Sequence, residues 1–211
     1  MSTHIEHADA LAVLAELPNG WAQTTITNPP ASDTNTTLAV LAEVQRVLRE
    51  DGTLWLLRRP EEPLLTGLLT QGWLRQRLPV WATPLAGRTS LRPLLLSNSS
   101  RYFQRRLHKR PNPTLSRDAR RGCCPQAQRE LIERCVLACS SMPACGACGS
   151  PYRPARRSDQ TPATQHASCV HRDPRGRCLV LDPFYKPRVG TAEIAARHGR
   201  SFLGITSVEP R

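Results

Sequence analysis

Three stretches carry side chains with chemical capacity. Cys145-Gly146-Ala147-Cys148-Gly149 spaces two thiolates so that both reach one metal ion, with the turn's backbone amides facing the sulfurs. Further along, Cys169-Val170-His171 offers a sulfur and an imidazole that complete a tetrahedron, with His166 or Cys178 as substitutes. Cys145, Cys148, Cys169 and His171 are therefore the expected ligands of a structural zinc ion. The second stretch is Thr27-Asn28-Pro29-Pro30, where a carboxamide stands before two residues whose φ is fixed. The third is Asp182-Pro183-Phe184, a carboxylate at the end of an apolar run.

The elements around these residues follow from hydrophobic spacing. Residues 178–181 form an apolar run without polar alternation, as in a strand buried on both faces of a parallel sheet. Thr191 can cap a following helix with Ile194, Ala195 and His198 on its inner face, and Gly199 stands where that helix should end. Residues 202–205 give the next strand. In open α/β sheets ligands bind beyond the carboxyl ends of strands, here from Asp182 to Thr191.

Toward the N-terminus, Asp9 can cap a helix bearing Leu11, Leu14 and Leu17, which Pro18-Asn19-Gly20 ends. A β-prone run over 21–26 leads into the Asn-Pro-Pro turn. A second helix is expected from Thr36 or Thr37, with Leu38, Leu41, Val44 and Leu48 on one face and Gly52 as its stop. A strand over 53–57, a helix over 64–78, a strand over 79–81 and a helix over 131–138 follow, with Cys135 as a core residue of the last. Cys123, Cys124 and Cys139 have no evident partner.

The chain has 211 residues, enough for one α/β domain and a small insertion. Its net charge of +12 and isoelectric point near 10.2 favour a polyanionic partner. Between Arg101 and Arg121 eight basic residues face only Asp118, broken by Pro111 and Pro113. Arg105, Arg106, Lys109 and Arg110 in this run are expected to contact phosphates. No apolar run approaches the ~20 residues that span a bilayer, and the N-terminus lacks a signal-peptide core, so a cytoplasmic location is expected. In such a compartment eight cysteines point to metal ligation or buried thiols rather than disulfides.

Taken together, Asn28-Pro29-Pro30, Asp182-Pro183-Phe184, Gly190-Thr191 and the run from Arg197 to Ile205 resemble the DNA amino-methyltransferases that modify N4 of cytosine or N6 of adenine. Their order matches the permuted branch, in which the catalytic motif precedes the S-adenosylmethionine motif. Residues 43–56, the Ser99-x-x-Tyr102 turn and residues 131–138 are also similar to family segments. The resemblance implies a Rossmann-like, circularly permuted methyltransferase sheet with a small zinc-ribbon-like insertion. It implies a catalytic-motif half over 1–100, a basic target-recognition segment over 101–130 and a pre-cofactor helix over 131–144. A zinc knuckle over 145–177 and a cofactor-binding half over 178–211 complete the order. It further implies that Asn28, Pro29 and Pro30 are catalytic, that Asp182, Pro183, Phe184, Gly190 and Thr191 bind the cofactor, and that double-stranded DNA is the partner.

The chain departs from the family at three places. Ala31 stands where an aromatic residue follows Pro-Pro. Tyr185-Lys186-Pro187-Arg188-Val189 replaces a glycine-rich turn; a proline and two cations there should crowd the pocket, and the cations would also face a sulfonium of like sign. Thr206 replaces the acid that holds the cofactor ribose. The expected activity is methyl transfer to an exocyclic amino nitrogen in DNA; the alternative is an inactive DNA-binding relative with the same sheet.

Overall fold

The computed structural model describes residues 3–30, 33–78, 93–102, 125–140, 152–153, 166–167 and 179–206. Their elements run β1 (Thr3–His7), α1 (Ala10–Glu16), β2 (Ala22–Thr27), α2 (Thr34–Val47), β3 (Leu48–Leu56), α3 (Glu62–Thr70), β4 (Leu74–Arg75) and β5 (Leu94–Ser97). Then come α4 (Pro125–Cys139), β6 (Tyr152–Arg153), β7 (His166–Ala167), β8 (Leu179–Asp182), a 3₁₀ turn (Pro187–Val189), α5 (Thr191–Arg197) and β9 (Ser201–Thr206).

Seven strands form one sheet in the order β1-β9-β8-β2-β3-β5-β4. The pairs from β1 to β3 are parallel, and β5 runs antiparallel to both β3 and β4. The first strand of the chain lies beside the last, with Thr3 opposite Phe202 and His7 opposite Thr206. That closure is the structural form of the permuted order. Strand β1 carried no signal in the sequence because it is an edge strand, polar and mostly exposed.

Side-chain alternation divides the core into two layers. Ile26, Trp55, Leu95, Val180 and Phe202 face α4 and α5, meeting Leu131, Ile132, Cys135, Val136, Ile194 and Ala195. Leu54, Leu56, Leu94, Leu96, Leu181, Leu203 and Ile205 face the other way, toward Leu14, Val40, Leu41, Val44 and Leu68. Cys135 is buried in the first layer, as expected, and so is Cys139, whose Sγ accepts a 3.1 Å bond from Trp55 Nε1.

Asp9 caps α1 through Ala12 N at 3.0 Å. The second helix starts earlier than expected, because Asp33 caps it through Thr36 N at 3.0 Å and so draws Thr34 to Thr36 into the first turn. Gly52 does not stop that helix. Helix α2 ends at Val47 and runs directly into β3, which advances from Leu48 to Thr53 while β2 advances only from Ala22 to Thr24. Gly52 lies inside that irregularity. The third helix is shorter than the expected 64–78, closing where Trp73 N bonds Leu68 O at 3.2 Å and Gly72 N bonds Leu69 O at 3.1 Å. Arg46 ties α1 to α2, donating from Nη1 to Leu17 O and from Nη2 to Leu14 O, both at 2.8 Å.

Candidate active site

Strands β8 and β2 are parallel neighbours at the centre of the sheet, with Thr25 opposite Leu181. From β8 the chain proceeds to β9 on one side, and from β2 it proceeds to β3 on the other. Their carboxyl ends therefore flank a topological switch point, where α/β sheets bind ligands. Asp182 ends β8, and Thr27, immediately before Asn28, ends β2. The expected cofactor turn and the expected catalytic turn thus begin side by side.

One short hydrogen bond joins them: Thr27 Oγ1 donates to Asp182 Oδ1 at 2.6 Å. The same oxygen accepts from Phe184 N at 3.2 Å. Asp182 is 4% exposed, and burial pushes its carboxyl from 3.8 to about 7, opposed by the Thr27 hydroxyl, the Phe184 amide and the Lys186 charge. A carboxyl held there changes charge near neutrality, as perturbed carboxyls at functional sites do.

Beyond Asp182 the turn is built differently from a glycine-rich one. Pro183 is buried, and Phe184 packs against the α1–α3 layer. Tyr185 turns to the opposite layer, where its ring meets Phe202 edge-on at 5.3 Å. A Cβ on Gly204 would lie 2.8 Å from Tyr185 Cγ, so this glycine makes room for the ring. Lys186 and Pro187 are exposed, and Val189 packs against the core.

Gly190 has φ +77°, the left-handed geometry that glycine adopts without strain. Thr191 is not the helix cap that its type suggested. It is the first residue of α5, after Gly190, and its buried Oγ1 has no hydrogen-bond partner. At the other end His198 is no part of the apolar face. It closes the helix and pairs through Nε2 with Glu133 Oε1 at 2.6 Å. Gly199 stands just past the helix end, as expected, and Arg200 N bonds Ala195 O at 2.9 Å.

On the catalytic side Asn28 and Pro29 are half-buried and Pro30 is exposed. Thr27 O accepts from Leu57 N at 2.9 Å, which fixes the start of the turn against β3. Thr206, at the end of β9, is half-buried beside the end of β1. Ala31, the phosphate-contact candidates Arg105, Arg106, Lys109 and Arg110, and the zinc candidates Cys145, Cys148, Cys169 and His171 lie outside the described residues. Among the described residues no group of three or more histidine, cysteine or acidic side chains could hold a metal.

Two residues of the site escaped sequence reasoning. Thr27 was read only as the residue that opens the Asn-Pro-Pro turn, with no role for its hydroxyl, although β2 is unusual in burying Gln23, Thr24, Thr25 and Thr27 in a central strand. Arg129, from α4, places its guanidinium about Gly190, where an added Cβ would lie 3.0 Å from its Cζ. Nothing local marked it, because the contact spans two helices far apart in sequence.

The sheet order and its switch point match the fold of solved S-adenosylmethionine-dependent methyltransferases. Three solved structures share this fold. TTHA0409 of Thermus thermophilus, assigned as a DNA modification methylase and solved with S-adenosyl-L-methionine, superposes with a TM-score of 0.56 at 17% identity, covering 98% of this chain and 90% of its own. M1.HpyAVI gives 0.56 at 15% identity, covering 98% and 93%. The cytosine-N4-specific PvuII DNA methyltransferase gives 0.58 at 12% identity, covering 99% and 83%. No protein-family profile matches the sequence, and no curated protein sequence matches it.

Proposed function

We propose that this chain is a DNA amino-methyltransferase that binds S-adenosylmethionine beside Asp182 to Thr191 and methylates N4 of cytosine or N6 of adenine in double-stranded DNA. The observation that carries the reading is the Thr27–Asp182 hydrogen bond, which couples the ends of the two expected site strands at 2.6 Å. The neighbours' names support it: one is cytosine-N4-specific, and M1.HpyAVI too has been solved with the cofactor.

The residues present fit such a cofactor. Asp182 is a buried carboxylate source for a cation, Gly190 allows close backbone approach, and Thr191 holds a buried hydroxyl that lacks a partner. Bound there, the cofactor would supply a sulfonium methyl as the electrophile. Asn28 and the Pro29 carbonyl accept hydrogen bonds from the target amino group, localising the nitrogen lone pair that conjugation with the base would otherwise withdraw. The two prolines hold those acceptors in place. The target base must leave the duplex stack to reach them.

Cys145, Cys148, Cys169 and His171 hold structural zinc in this reading, and Arg105, Arg106, Lys109 and Arg110 contact phosphates. A small antiparallel ladder, with Tyr152 opposite Ala167 and Arg153 opposite His166, lies in sequence between the two ligand pairs and is consistent with a compact knuckle.

A second reading, an inactive DNA-binding relative, is favoured by Ala31, by the sequence 186–189 and by Thr206. Incubation with duplex DNA and methyl-labelled cofactor separates the two. Label in base-paired DNA that is lost in Asn28→Ala supports the enzyme. DNA binding without label transfer supports the relative.

A further inference from the structure

Helices α4 and α5 lie side by side and run in the same direction. Near their starts Arg129 Nη2 meets Glu193 Oε2 at 2.5 Å; near their ends Arg200, on the loop after α5, donates to Ser140 Oγ and O at 2.9 and 3.1 Å. The Gly190 end of this pair is the strand-carboxyl end, because α5 follows the turn that leaves β8. Arg129 therefore stands at the mouth of the candidate site. Its Cζ and Nη1 both lie 3.0 Å from where a Gly190 Cβ would be.

The turn beneath it is poor in donors. Pro187 has no N–H, Val189 N is committed to Lys186 O at 3.0 Å, and Gly190 N to Pro187 O at 3.3 Å. An anionic group seated there meets the unpaired N–H groups at the start of α5 and the side chains around them. Arg129 is the cation in place, and Thr191, one residue on, is fully buried with its hydroxyl unpartnered. The existing Arg129–Glu193 pair is half in solvent, at 40% and 67% side-chain exposure, so it adds little to stability and exchanges readily. A guanidinium has five N–H donors in a fork that matches a carboxylate.

We propose that Arg129 binds the α-carboxylate of the cofactor's amino-acid moiety, exchanging Glu193 for it. This rests on the reading above, in which Asp182 faces the cationic part of the same ligand. S-adenosylhomocysteine, which carries the carboxylate, and 5′-methylthioadenosine, which lacks the amino-acid moiety, are titrated calorimetrically into the full chain and its Arg129→Ala, Arg129→Lys and Glu193→Gln variants. Arg129→Ala should weaken S-adenosylhomocysteine by about tenfold or more while leaving 5′-methylthioadenosine within about twofold. Arg129→Lys should recover only part of the loss, and Glu193→Gln should bind S-adenosylhomocysteine at least as tightly as the parent. Equal weakening of both ligands by Arg129→Ala, or none, overturns the assignment while the cofactor reading stands. A parent chain that binds neither ligand overturns both.

Discussion

Replacing Thr27 by valine removes one hydroxyl and little volume. In the native chain Asp182 is protonated up to about pH 7, whereas an unfolded aspartate releases its proton near 3.8. Between these values the folded state holds a proton that the unfolded state has lost. Asp182's contribution to stability is therefore complete below pH 3.8 and is lost as pH rises through 7. At about 1.4 kcal/mol per pH unit, that window corresponds to about 4 kcal/mol. The Thr27 hydroxyl limits this loss because it donates to the ionised carboxylate at 2.6 Å. At pH 8 the bond is charge-assisted, and Thr27→Val should cost about 1.5–3 kcal/mol. At pH 5 it is a neutral bond worth about 0.5–1.5 kcal/mol. Urea unfolding followed by circular dichroism at the two pH values measures both costs. The penalty should grow with pH, and Thr27→Ser should restore most of it. A penalty equal at pH 5 and pH 8 refutes the coupling of Thr27 to Asp182.

Arg46→Ala removes the side-chain donor to Leu17 O and Leu14 O at the end of α1, of which Leu14 O keeps the Leu17 N–H. It should cost about 1–3 kcal/mol in thermal unfolding; a loss below about 0.5 kcal/mol contradicts that role. Removing the charges of Arg105 and Arg106 should reduce the slope of log affinity for DNA against log salt by about 2, if each neutralises one phosphate. An unchanged slope removes them from the interface. Metal analysis of the purified chain should find about one zinc per molecule, lost in Cys145→Ser. Metal-free, folded protein would return the cysteines to an ordinary structural role.

Much of the fold was legible because its signals were local. Asp9, the apolar run before Asp182 and Gly199 each state an element boundary within a few residues. The site's two turns were legible for the same reason, each being a short polar or glycine-bearing break after a strand. What the sequence hid depends on pairing. Strand β1 is polar and exposed, and it exists because β9 offers it an edge. Gly52 reads as a helix stop, yet α2 had already ended at Val47 and the glycine serves a register slip between β2 and β3. Thr191 has the side chain of a cap, but Gly190 holds that position and leaves the hydroxyl buried. Thr27 and Arg129 acquire their meaning from partners 155 and about 60 positions away, Asp182 and the Gly190–Glu193 segment.

The central claim is that the altered turn still forms a cofactor site around Asp182. Calorimetric titration of the folded chain with S-adenosylmethionine at pH 6 and pH 8 tests it most directly. Since a cationic ligand favours the ionised carboxylate, micromolar binding is expected at pH 8, weakened by up to about tenfold at pH 6, with proton release on binding at the lower pH. No heat of binding at either pH, from protein whose circular dichroism shows the native sheet, would contradict it.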